Sequence, residues 1–171
     1  MTHRYAIALG SNRRHGRHGP PPRVIAAALA ALGTEEISVL SASPVLATAP
    51  LGPGGRTYAN AAALVATDLD PPALLARLKR IERQFGRRRG RRWGPRVIDL
   101  DIILWSGGSW RPRRPDALTL PHRAYPERGF VLAPLAAIVP DWRHPHLQRS
   151  VRHLLAKLRR RSPVDRTRSA P

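Results

Sequence analysis

Between Val97 and Leu104 the chain is apolar except for two aspartates, Asp99 and Asp101, spaced i, i+2. In a strand both carboxylates point the same way, with Cα atoms roughly 6–7 Å apart, while Leu100 and Ile102 point to the opposite face, into a core. An unpaired carboxylate in such a setting is strongly unfavourable, so the aspartates need a compensating partner. A divalent metal could supply it. So could the arginines just upstream, Arg92 and Arg96, as ordinary salt bridges, and on this stretch alone both readings stay open.

The rest of the chain is read as the scaffold for that strand. Arg4–Leu9 alternates like a first strand, stopped by Gly10-Ser11-Asn12, and Arg13–Pro22 reads as a mobile loop. Val24, Ile25, Ala28, Leu29 and Leu32 form a helical stripe that Gly33 is placed to end. Residues 36–43 predict an edge-like or bulged strand, because Pro44 interrupts its continuation, and 57–67 a long strand of small residues. On the latter, Tyr58, Asn60, Ala62 and Leu64 share a face. Asp70 is a good N-cap for a second helix with Pro71 at its first position and Leu74, Leu75, Leu78, Ile81 and Phe85 buried. Glu82 lies beside that stripe, where it would ordinarily be a surface carboxylate paired with Lys79.

After the aspartate strand, Trp105–Trp110 predicts a hairpin turn into a short return strand. Residues 127–138 predict a helix broken at Pro134, and Leu147, Val151, Leu154, Leu155 and Leu158 a last amphipathic helix. The expected organisation is one domain over 1–158 and a basic, disordered tail over 159–171. The order strand, helix, strand, strand, helix, strand implies an α+β, ferredoxin-like antiparallel sheet sandwich with extra strands and a C-terminal helical addition. In it the aspartate strand is expected to be central, with the loops at 10–22, 48–57 and 86–95 gathered near one another.

Charge bears on the partner. The net charge is +19, and 28 of the 30 basic residues are arginine, since only Lys79 and Lys157 are lysines. That balance favours an anionic partner. With abundant Ala, Pro and Gly it also matches GC-rich coding bias, so charge alone is weak evidence for nucleic acid. The chain has no cysteine, which excludes a disulfide framework and fits a reducing cytoplasm. Its apolar stretches are too short to span a bilayer, so a soluble protein without a signal peptide is expected.

Arginine's fixed fork of donors matches phosphate oxygens, so Arg87, Arg89, Arg92 and Arg96 beside paired aspartates describe a polyphosphate clamp. Phosphoryl transfer needs little beyond positioning, metal and positive charge. Neither a P-loop nor the protein-kinase signature set is present. The histidine pairs His15/His18 and His144/His146 lack a supporting ligand pattern and read as surface residues.

Eight short pieces occur in order: Leu9-Gly-Ser-Asn12, Pro50-Leu-Gly-Pro53, Tyr58-x-Asn60, Arg80-Ile-Glu82 with Gly86-Arg87, Arg92-Trp-Gly-Pro-Arg96, Asp99-Leu-Asp101-Ile, Leu120-Pro-His122 and Arg128-Gly-Phe130. Together they resemble the 6-hydroxymethyl-7,8-dihydropterin pyrophosphokinase family over about Tyr5 to Pro140. The resemblance implies transfer of pyrophosphate from ATP to a pterin alcohol in folate biosynthesis, with Asp99 and Asp101 holding two Mg²⁺ ions. It implies catalytic roles for Arg87, Arg96, Asp99 and Asp101. It implies nucleotide contacts from Lys79, Arg89, Arg96, Ile102, Thr119, His122 and Arg128. Pterin contacts follow for Thr48, Ala49, Leu51, Tyr58, Asn60, Trp93 and Phe130, those of Thr48, Ala49 and Leu51 through backbone. Glu82, by its place in the motif, is expected to link to the arginine loop.

Three departures stand out. Arg123 follows His122 where relatives commonly carry an aromatic, Ala49 replaces a common proline, and the arginine loop is one residue short. The family reading carries small-molecule partners, a monomer, a cytoplasmic location, no membrane and no specific nucleic acid. The competing reading is a ferredoxin-like RNA-binding module, for which Arg128-Gly-Phe130 resembles the start of an RNP motif. It lacks the further aromatics such a strand needs and leaves the two aspartates unexplained.

Overall fold

The computed structural model describes residues 1–48, 57–86, 97–112 and 118–161. Strand β1 (His3–Ser11) and helix α1 (Pro21–Leu32) are followed by β2 (Ser38–Ala42), β3 (Leu46–Thr48) and β4 (Tyr58–Thr67). Helix α2 (Pro71–Gln84), β5 (Asp99–Trp105), a single 3-10 turn (Tyr125–Glu127), α3 (Gly129–Ile138) and α4 (Val151–Arg161) complete the order. The sheet runs β2-β4-β1-β5, all antiparallel, with β3 pairing β4 beyond the end of β2.

The α+β, ferredoxin-like expectation holds, but the aspartate strand is at the edge of the sheet; β1 and β4 are the central pair. The residues explain why. Strands β1 and β4 are apolar on both faces, through Tyr5, Ile7 and Leu9 on one and Ala6 and Ala62 on the other, so both faces can be covered by helices. Strand β5 carries its carboxylates on one face, and among the described residues its outer edge is met by side chains and not by a strand.

Two cores result. Leu9, Ala61 and Leu100, with Ile7, Ala63 and Ile102, pack against the stripes of α1 and α2. On the other face Ala6, Ala62, Ile103 and Leu104 pack against Tyr125, Leu132 and Leu135 and against Val151 and Leu154 of α4. The bulge between Ala6 and Ile7 lets Ile103 and Leu104 both enter this second core.

Local chemistry sets the element ends. Pro20 precedes α1 with Pro21 in its first turn, and Asp70 caps α2 by accepting from Ala73 N at 2.8 Å. The break that Pro44 makes between β2 and β3 is bridged by Ser43. Its N–H donates to Ala62 O and its Oγ accepts from Ala62 N, both at 2.9 Å.

Four expectations need correction. Trp105–Trp110 turns at Gly107-Gly108, but among the described residues no return strand pairs with β5: Ser106 N donates to Arg4 O, tying the turn to β1, and Trp110 makes one bridge with Leu120. Helix α3 runs through Pro134, whose missing N–H costs one helical bond while the ring itself is buried. Helix α4 starts at Val151, leaving Leu147 exposed in the preceding turn, where Gln148 adopts φ 52°. It continues to Arg161, three residues past 158, and residues 162–171 lie outside the described residues.

The histidines are also more structured than surface residues. His15 Nδ1 accepts from Arg17 N and His18 N, and the His18 ring stacks between His15 and Phe85 at 4.7 and 4.9 Å. His144 is buried against Tyr125, its Nδ1 accepting from His146 N and Leu147 N. Burial, with His146 close by, holds its pKa below the ordinary imidazole value.

Candidate active site

The end of β1, the start of β4 and the start of β5 lie side by side, through antiparallel register and not through a central β5. The expectation that the loops at 10–22, 48–57 and 86–95 gather there falls largely on 49–56 and 87–96, which lie outside the described residues. Gly10 of β1 pairs with Asn60 of β4 on one side and Asp99 of β5 on the other. Two residues back, Ala8 lies between Ala62 and Asp101. Paired residues share a face, so Asn60, Asp99 and Asp101 point together, away from α1 and α2. Gly10 keeps the row open: a Cβ there would sit 3.4 Å from Asn60 Oδ1.

Asp99 and Asp101 are half-buried. His122 joins them from the connector: its N–H donates to Ile103 O at 3.0 Å and its Nδ1 accepts from Ala124 N at 3.3 Å. Burial pushes its pKa down, Asp101 and Asp99 pull it up and Arg128 pushes it down, with burial winning. The imidazole thus lies near two carboxylates and a guanidinium. Arg128 lies 5.9 Å over the Phe130 ring at the start of α3.

Of the pterin-side expectations, Asn60 and Tyr58 fall on the same face of β4. Asn60 is buried and its Nδ2 donates to Thr48 Oγ1 at 2.7 Å. Thr48 was expected to act through backbone; here its hydroxyl fixes the Asn60 amide. Tyr58, opposite Thr48 in the β3–β4 register, is 40% exposed and so is not a core aromatic.

The nucleotide-side expectations divide. Lys79 stands at the open edge of β5, its Nζ donating to Glu82 Oε1 at 2.7 Å and to Leu100 O at 3.3 Å. Thr119 is half-buried, just ahead of the Leu120 bridge. Ile102 has its side chain in the α1/α2 core, 2% exposed, on the face opposite the aspartates as the alternation predicts, so only its backbone can meet a ligand. Arg123 is exposed beside His122. Ala49, Leu51, Arg87, Arg89, Arg92, Trp93 and Arg96 lie outside the described residues.

Glu82 is not a surface carboxylate. It is fully buried, and its Oε1 accepts from Leu100 N at 2.9 Å as well as from Lys79. The pair thus closes the outer edge of β5 between the two aspartates, doing what a neighbouring strand would do. Its expected tie to the arginine loop falls outside the described residues. Sequence reading also overlooked Gly10, although the Gly-Ser-Asn stop after an alternating strand marks it as a close-approach position.

Among the described residues no group of three or more His, Cys, Asp or Glu could hold a metal ion alone. Two carboxylates on one strand suit Mg²⁺, which keeps several waters and completes its octahedron with substrate phosphate oxygens. A closed zinc or calcium cage would need more protein ligands. No helix among the described residues is long and apolar enough to cross a membrane.

Comparison with known proteins gives this geometry a context. Residues 6–140 match the family model described as 7,8-dihydro-6-hydroxymethylpterin-pyrophosphokinase. The 2-amino-4-hydroxy-6-hydroxymethyldihydropteridine pyrophosphokinase of Methylorubrum extorquens is 41% identical over 143 residues, covering 82% of this chain and 85% of that protein. The protein of the same name from Pseudomonas aeruginosa is 40% identical over 147 residues, covering 85% of this chain and 86% of its own. A crystal structure of Plasmodium falciparum HPPK-DHPS with pteroate superposes with a TM-score of 0.75 at 14% identity, covering 96% of this chain. The chain spans 44% of that larger protein, and at this identity the likeness speaks to the fold. The chain belongs to the 7,8-dihydro-6-hydroxymethylpterin-pyrophosphokinase family, enzymes of pyrophosphoryl transfer in folate biosynthesis.

Proposed function

We propose that this enzyme transfers pyrophosphate from ATP to 6-hydroxymethyl-7,8-dihydropterin, giving the pterin diphosphate and AMP. The observation that carries the reading is the row Asn60–Gly10–Asp99 across three strands, with Asp101 two residues further along β5 on the same face. It puts an amide able to read a heterocycle's donors and acceptors on the same face as two carboxylates able to hold metal-bound phosphate. Asp99 and Asp101 would hold two Mg²⁺ ions, which would supply neutralising charge to the triphosphate as the pterin hydroxyl attacks the β-phosphorus in line.

The chain's own residues do the rest. Asn60, oriented by Thr48, hydrogen-bonds the pterin edge, while Tyr58 and Phe130 flank the ring and Trp93 covers it. Thr48, Ala49 and Leu51 add backbone contacts. Arg87, Arg89 and Arg96 bring positive charge to the phosphates, and Lys79, Thr119, His122 and Arg128 add nucleotide contacts. Ile102 serves through its backbone. Leu100's N–H and C=O face the open edge of β5, where Glu82 and Lys79 meet them, and strand alternation turns those of Ile102 the same way. The protein works as a cytoplasmic monomer on small molecules, with 1–158 as its single catalytic domain and no specific nucleic acid partner.

Calorimetry tests this. With a non-hydrolysable ATP analogue and Mg²⁺ present, the pterin is expected to bind measurably more tightly than without the nucleotide. Tight, salt-sensitive RNA binding with no response to pterin would overturn the proposal.

A further inference from the structure

The family match ends at residue 140, yet helix α4 beyond it reaches the pterin side of the site. A groove of about 380 Å³ opens between β3, the first turn of α3 and α4. Thr48 and Phe130 line it from the site, and Leu155 and Leu158 line it from α4. Leu158 also faces Gly129, directly before Phe130, where an added Cβ would lie 3.6 Å from Leu158 Cδ2.

Phe130 itself is only partly buried, and its ring is bounded by Arg128 and by this groove. The first turn of α3 is held at its start by Arg128 O, which accepts from Val131 N and Leu132 N at 3.0 and 2.9 Å. Nothing in those bonds fixes the direction of the Phe130 ring. That leaves the side chains behind it to do so. Val151 and Leu154 anchor α4 in the core, and Leu155 and Leu158 continue the same stripe toward Phe130.

We infer that Leu158, assisted by Leu155, is a positioning residue for the pterin: α4 holds the Arg128–Phe130 turn so that Phe130 keeps its place beside Thr48 and Asn60. The inference rests on the reading of Phe130 as a pterin contact. Cutting back Leu158 widens the groove and lets the ring swing away from the site, because a cavity wall relaxes toward empty space. The loss falls on pterin affinity, since Leu155 and Leu158 line the groove with Thr48 and Phe130.

Steady-state kinetics with separate KM values for the pterin and for ATP tests this. Leu158→Ala is expected to raise the pterin KM about three- to tenfold, the worth of one aromatic contact, with the ATP KM and kcat unchanged. Leu155→Ala should do the same more weakly, and Leu158→Met should restore the wild-type value. Leu154→Ala is the control for a merely structural role: it should lower the urea midpoint more than Leu158→Ala while leaving the pterin KM alone. The inference is overturned if Leu158→Ala leaves the pterin KM unchanged while Phe130→Ala raises it. It is equally overturned if Leu154→Ala raises the pterin KM as much as Leu158→Ala does. A Phe130→Ala variant with unaltered pterin KM would instead overturn the pterin reading of Phe130.

Discussion

Removing the Glu82 carboxylate should loosen the edge of β5. Glu82 is fully buried and its Oε1 accepts two hydrogen bonds, from Leu100 N at 2.9 Å and from Lys79 Nζ at 2.7 Å. Hydrogen bonds to a charged group are each worth about 1.5–3 kcal/mol, and a buried N–H left without a partner costs about 1–3 kcal/mol. Breaking a buried ion pair costs about 3–5 kcal/mol, but Lys79 is 32% exposed and can turn to water, which favours the lower end. Glu82→Ala should therefore destabilise the fold by about 3 kcal/mol, equivalent to a fall in Tm of about 6–12 °C for a chain of this size. Glu82→Gln keeps an acceptor for Leu100 and Lys79, so a smaller loss of about 1 kcal/mol is expected. Urea denaturation of the wild type and both variants measures this, read as midpoint shifts at constant m. A loss below about 1 kcal/mol for Glu82→Ala, or equal losses for both variants, would refute the view that Glu82 substitutes for a missing strand.

Two further outcomes follow from the same coordinates. Gly10→Ala adds a Cβ in ordinary contact, 3.4 Å from Asn60 Oδ1, and should be tolerated, whereas Gly10→Val should push the amide aside and raise the pterin KM about tenfold or more, measured by steady-state kinetics. Tyr5 donates to Leu69 O at 2.7 Å, and burial, with Asp70 nearby, pushes its pKa up to about 12. The folded state thus holds the phenol proton longer than the unfolded chain, so this stabilisation is complete below pH 10 and lost as pH rises from 10 to about 12. Tyr5→Phe should cost about 1 kcal/mol at neutral pH and reduce the alkaline fall in thermal stability over that window; an unchanged alkaline limb would contradict the assignment. Tyr125, buried with no hydrogen-bond partner for its hydroxyl among the described residues, is pushed up as well, so some alkaline loss remains in the variant.

What could be read from the residues alone follows the reach of the interactions. The α2 cap and stripe, the bulged edge at Pro44 and the shared face of Asp99 and Asp101 come from neighbours in sequence, and each stands in the structure. The position of β5 in the sheet depends on which strands can be covered on both faces, a comparison across the whole chain, and it was misjudged. Glu82 shows the same limit in one residue. At i, i+3 from Lys79 it looks like a helix-surface pair, and only the tertiary approach of Leu100 N buries it. His144 and Leu147 likewise exchange their expected places, because the turn before α4 wraps His144 against Tyr125 and leaves Leu147 outside. On the candidate site, Asn60, Tyr58, Phe130 and His122 could be proposed from motif resemblance. The Gly10 row and the α4 wall required the register and the packing.

The central claim is that Asp99 and Asp101 together form the Mg²⁺ platform between ATP and pterin. The most direct measurement is AMP release from ATP plus 6-hydroxymethyl-7,8-dihydropterin, followed across a Mg²⁺ titration, for the wild type and for Asp99→Ala and Asp101→Ala. The account predicts that each variant nearly abolishes turnover even at high Mg²⁺ while the fold, by urea denaturation, survives. Near-normal turnover by either variant would contradict it.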